Sequence, residues 1–108
     1  MAFYLFQAAY TPQAVAALAK NPEDREKPAR ALIERAGGKL HSFFYCVGEF
    51  DVMAIFEAPD LTTAMSIAVG VCAPGHLKAS KTTPLLTTAE ATNAFSKAGG
   101  LGYRGPSQ

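Results

Sequence analysis

A chain of 108 residues, 49 % hydrophobic and 18 % charged, fits one domain with its own core. It is apolar for that size, so part of its surface is expected against another chain. Ten Lys and Arg against nine Asp and Glu leave a net charge of +1 and no basic run, which gives nucleic acid no footprint, and the apolar stretches fall short of the roughly 20 residues a membrane span needs.

Met1 to Phe6 lacks the positively charged start of a secretory signal and reads as a strand, continued by aromatic residues to Tyr10. Thr11 can cap a helix that has Pro12 at its first position and runs from Gln13 to Lys20. Asn21-Pro22 interrupts it. A second helical run from Glu23 to Ala36 has Pro28 in its early turns, an apolar stripe of Ala29, Leu32, Ile33 and Ala36, and a stop at Gly37-Gly38. Lys39 to Val47 and Phe50 to Ala58 read as two strands around Gly48-Glu49, a two-residue type II′ turn. Pro59-Asp60 ends the second, and Asp60 or Thr62 caps a helix from Leu61 to Val71. Ala73-Pro74-Gly75 breaks that helix before a weaker strand, His76 to Thr83. Thr88 to Ala98 reads as a short closing helix. Residues 1–98 thus form the domain, and the glycine-rich residues 99–108 a flexible tail.

Strands and helices in this order form an α+β, ferredoxin-like βαββαβ fold with a four-stranded antiparallel sheet and a short C-terminal helix. Right-handed crossovers put the first and third strands in the centre and the second and fourth at the edges. The central hairpin is apolar on both faces. With Cys46 opposite Asp51, Tyr45 opposite Val52 and His41 opposite Phe56, one face carries Leu40, Ser42, Phe44, Cys46, Asp51, Met53 and Ile55. The other carries His41, Phe43, Tyr45, Phe50, Val52, Ala54 and Phe56. Two helices can cover only one face, so the other is expected to meet the sheet of a second copy about 10 Å away. A homodimer, or a higher homo-oligomer, is the expected assembly.

Phe43-Phe44-Tyr45, Gly48-Glu49-Phe50-Asp51-Val52, Ala54-Ile55 and Glu57-Ala58-Pro59-Asp60 together resemble the signature of GYD-domain proteins. That family takes its name from a Gly, a Tyr and an Asp in this hairpin. Phe50 stands here for the Tyr, keeping the ring and losing the hydroxyl. The likeness runs from the first strand to about Phe95 and leaves out the glycine-rich tail. It implies the dimeric α+β barrel type, whose relatives include cofactor-independent monooxygenases, isomerases and haem-degrading enzymes.

Asp51 is the sharpest candidate for chemistry. An acid one residue inside a strand on a largely apolar face loses solvation, which suits a general acid or base. The competing reading is that it accepts N–H groups of its own turn. Tyr45 could place a phenol in a pocket beside Phe43 and Phe50, or simply pack. His41 is the third candidate. His41 and His76 are read as starting edge strands at the same end of the sheet, about 14 Å apart, too far to share a metal within one subunit. His41 and Asp51 fall on opposite faces. A single histidine could be an axial haem ligand, but no second feature supports one.

Cys46 and Cys72 are too few and too widely spaced for a zinc site or disulfide framework, and read as reduced, packed residues of a cytoplasmic protein. No P-loop is present, and Gly99-Gly100-Leu101-Gly102 has no strand before it, so no cofactor is indicated. The expected function is binding of a small apolar or aromatic organic molecule in a pocket between sheet and helices, with Tyr45, Asp51 and His41 beside it. The rival is a non-catalytic oligomeric module with a structural hairpin. A cofactor-independent monooxygenase or isomerase rests on fold analogy alone.

Overall fold

A computed structural model describes residues 1–107. Its elements are β1 (Ala2–Tyr10), α1 (Pro12–Lys20), α2 (Glu26–Arg35), β2 (Lys39–Tyr45), β3 (Val52–Ala58), α3 (Leu61–Cys72), β4 (Leu77–Leu85) and α4 (Thr88–Gly99). The strands make one antiparallel sheet in the order β2-β3-β1-β4. This is the expected α+β, ferredoxin-like arrangement, with the first and third strands central. The tail segment beyond α4 includes one residue, Gln108, that lies outside the described residues.

Local chemistry explains several element ends. Thr11 accepts the Ala14 N–H at 3.1 Å, with Pro12 opening α1. Asp60 accepts the Thr63 N–H at 2.8 Å and starts α3. Thr87 and Glu90 form a reciprocal capping box at the start of α4. Gly37, at φ 90°, turns the chain out of α2. Gly38 then passes so close to β3 that an added Cβ would lie 2.5 Å from the Glu57 carbonyl oxygen.

The core lies between one sheet face and the helices α2 and α3. Strand alternation sends Tyr4, Phe6, Ala8 and Tyr10 to that face, paired with Phe56, Ala54 and Val52 of β3, and Ile33 and Ile67 close it from above. Phe56 is 1 % exposed and stacks on Tyr4 at 5.5 Å. Burying a ring of that kind contributes about 1.5–3 kcal/mol.

The hairpin departs from expectation in two ways. Instead of a two-residue turn at Gly48-Glu49, residues 46–51 form the connection between β2 and β3. One further rung survives, from the Cys46 N–H to the Asp51 carbonyl at 2.8 Å. The ladder stops there because Asp51 turns to β1: its N–H donates to the Ala8 carbonyl at 2.8 Å. Gly48, at φ 135°, carries the tip.

The second departure is a register shift between Leu40 and Ser42. Tyr45 faces Val52 as expected, but Leu40, not His41, faces Phe56. The extra residue reverses which side the start of β2 presents. Leu40 therefore enters the core at 2 % exposure, while His41 moves to the open face, against Phe3 and Glu57. The expectation that Leu40 shares a face with Phe44, and His41 with Phe43, is corrected accordingly. The two histidines also lie at opposite ends of the sheet, not the same end. Lys39 is level with Glu57 and Phe3, whereas Leu77, just after His76, pairs with Tyr10.

The uncovered face is half-buried. Phe3, Leu5, Met53 and Ile55 form its centre, and Phe44 beside them is 62 % exposed. α4 has no buried residue and leaves Phe95 exposed. The radius of gyration, 17.6 Å, exceeds the about 13 Å typical of this length. No helix among the described residues is long and apolar enough to cross a membrane.

Candidate functional site

A cavity of about 240 Å³ lies between the sheet and helices α2 and α3. Its floor is apolar because the core strands alternate: Phe6, Ala8, Val52, Ala54 and Phe56 face it, with Ile33 and Ile67 from the helices. Its more exposed rim includes Pro28, Arg35, Gly70 and Pro74. The polar side chains on its wall are Tyr10, Arg25, Arg35 and His76. No carboxylate is among its lining residues.

Tyr10, Arg25 and His76 belong together. The Tyr10 and His76 rings are 6.1 Å apart, and the Arg25 guanidinium acts electrostatically on both. The three also border a second, more open depression of about 360 Å³ beside α1. Burial is the main cause that pushes the Tyr10 phenol above its ordinary 10.0; Tyr45 and Asp51 add to it and Arg25 opposes it. Burial first, then the Arg25 charge, hold the His76 imidazole below its ordinary 6.5. At neutral pH the group is thus a phenol donor, a fixed cation and a neutral imidazole. Arg25 also pairs with Glu23 at the surface.

Each member of this group is held by a neighbour. The Tyr10 N–H donates to Asp51 Oδ2 at 2.8 Å. The Arg25 N–H donates to the Tyr45 hydroxyl at 3.3 Å. The His76 carbonyl accepts the Thr11 N–H at 2.9 Å.

Of the three residues expected at a site, none lines the cavity. Asp51 and Tyr45 stand directly behind it, bonded to Tyr10 and Arg25. Asp51 does not line the cavity, and the N–H that its carboxylate accepts is that of Tyr10 in β1, not one of its own turn. Tyr45 is 55 % exposed and meets Phe43 edge-on at 5.6 Å. His41 is elsewhere, its Nε2 2.6 Å from Glu57 Oε2 on the open face. Cys46 donates to the Phe50 carbonyl at 3.3 Å, and Cys72 lies 3.4 Å from the Ser80 hydroxyl. Among the described residues no three His, Cys, Asp or Glu side chains gather as a metal site.

Sequence reasoning missed Tyr10 and Arg25 and set His76 aside. One signal for Tyr10 was present, since it continues the Tyr4, Phe6, Ala8 alternation onto the helix-covered face. Nothing local marks Arg25, which stands in the connection between two helices.

The family model for the GYD domain matches residues 4–95, and the chain belongs to that family. No curated protein matches it. Among solved structures, the crystal structure of FFRP-DM1 superposes with a TM-score of 0.49 at 11 % identity, covering 80 % of this chain and 100 % of that one.

Proposed function

We propose that this GYD-domain protein binds a small, mostly apolar organic molecule in the cavity between its sheet and helices α2 and α3. The observation that carries the reading is the cavity itself, about 240 Å³ with an apolar floor and a few polar groups on its wall. Natural ligand sites are built that way. A dry apolar cavity of about 150 Å³ already accepts benzene, so one or two fused rings are the fitting size.

Titration with the neutral probe 1-naphthamide, followed through the methyl resonances of Leu32, Ile33 and Ile67, tests this. Saturable shifts are expected, and Ala54→Leu, which fills the floor, should weaken them. If those methyls stay still up to millimolar probe, on the order of the weakest specific affinities, the reading fails.

A homodimer formed through the open sheet face is part of the proposal. Its support is the apolar centre of that face, Phe3, Leu5, Met53 and Ile55, with exposed Phe44 at its side. The same feature favours the second reading, an oligomeric module without a ligand. The two part on the naphthamide titration, because only the first requires the cavity to fill.

A further inference from the structure

We infer that the ligand of this cavity is an organic anion, a small planar acid whose ring lies on the apolar floor and whose carboxylate meets Arg25 and Tyr10. The inference rests on the cavity reading above and adds the chemical class of what binds. Four observations lead to it.

The first is the sign of the wall. Arg25 and Arg35 both line the cavity, and no Asp or Glu does. A cation beside an apolar, low-dielectric space attracts an anion more strongly than in water. The second is the state of the neighbours. Tyr10 holds its proton and so donates, and neutral His76 can donate or accept beside it. A carboxylate accepts from both a guanidinium and a phenol, which is the complement this group offers.

The third is positioning. The Tyr10 and Arg25 backbones are each tied down, by Asp51 and by Tyr45, before any ligand arrives. Such pre-organisation lowers the ordering cost of binding. The fourth is the competing ion pair. Glu23 engages Nη1 of Arg25, but the pair is at the surface, with side chains 32 % and 55 % exposed. Pairs of that kind contribute little, and a guanidinium has further N–H donors to offer. The apolar floor argues against a bare inorganic anion, which would leave it uncovered.

The test compares 1-naphthoate with its neutral isostere 1-naphthamide, and with inorganic phosphate, on the full chain by calorimetry and by the Leu32 and Ile67 methyl shifts. Naphthoate should bind at least about tenfold more tightly than naphthamide, as a charge-assisted bond predicts. Arg25→Gln should erase that preference by weakening naphthoate much more than naphthamide, and Arg25→Lys should restore part of it. Phosphate should not move the methyls. Equal binding of the two naphthalenes overturns the anion inference and leaves the cavity reading standing. Loss of all binding overturns both. A preference that survives Arg25→Gln overturns the assignment of Arg25, and Tyr10→Phe, which keeps the ring, then shows whether the phenol holds the anion.

Discussion

The Asp51 carboxylate accepts the Tyr10 backbone N–H at 2.8 Å, across 41 residues of sequence. The bond joins the hairpin connection to the end of β1 and fixes the strand position from which the Tyr10 ring enters the cavity wall. The acid therefore shapes the candidate site without touching what would occupy it.

Removing that acceptor should cost stability before it costs binding. Asp51→Ala is expected to lower unfolding stability by about 1–3 kcal/mol, the range for leaving a buried donor, here the Tyr10 N–H, without its acceptor. Asp51→Asn keeps an acceptor oxygen and should lose less. Urea denaturation of both variants checks this. An Asp51→Ala protein as stable as the parent but unable to bind would return Asp51 to a direct role.

Gly38 is set by packing. A Cβ there meets the Glu57 carbonyl oxygen at 2.5 Å and Ile33 Cγ2 at 3.0 Å. Gly38→Ala should destabilise by about 1–3 kcal/mol, as overpacking does. Thermal unfolding reads the change, and no shift in Tm would mean that α2 and β3 separate freely.

Burial and Arg25 hold His76 below 6.5 in the folded chain. Between that lowered value and 6.5 the unfolded chain binds more protons, so this stability is present above about pH 6.5 and is lost as pH falls through the window beneath it. Tyr10 works in the opposite direction. Its phenol is pushed above 10.0, so its contribution is present below pH 10 and lost as pH rises beyond. The caps of Asp60 and Glu90 hold those acids below 3.8 and 4.5 through bonds to Thr63 and Thr87, so they weaken only at still lower pH. Tm measured from about pH 8 to pH 5 should fall less for His76→Asn than for the parent. Parallel curves would remove His76 from the account.

The open face should govern assembly. Leu5 and Ile55 are register partners at its centre, and a buried unpaired charge there opposes any sheet-to-sheet contact. By analytical ultracentrifugation the parent is expected to sediment as a dimer and Ile55→Lys as a folded monomer. A parent that sediments as a monomer would defeat the proposal directly.

α4 should melt on its own account. Thr87→Ala removes one half of the capping box, a loss of about 0.5–2 kcal/mol for the helix. Because α4 buries no residue in the domain, amide exchange should quicken in residues 88–99 while the sheet amides stay protected. Equal loosening of the sheet would mean that α4 supports the core through contacts made on assembly.

Periodicity, caps and turn residues were enough, from the sequence, for the element order and the strand order, while the family was legible only as a resemblance carried by the hairpin residues around Gly48-Glu49-Phe50-Asp51. Those features depend on local chemistry: Thr11-Pro12, Gly37-Gly38 and Asp60 end or start elements within a few residues of themselves. Two-residue alternation likewise placed Val52, Ala54 and Phe56 on one face. The tertiary structure decided the rest. A one-residue bulge beside His41 reversed the start of β2, and alternation cannot reveal an added residue until its partner strand is in place. The group of Tyr10, Arg25 and His76 comes from three separate parts of the chain, gathered by β1, by the entry to α2 and by the entry to β4. Only packing brings them together, because a cavity is a property of surfaces that face each other and not of any segment alone.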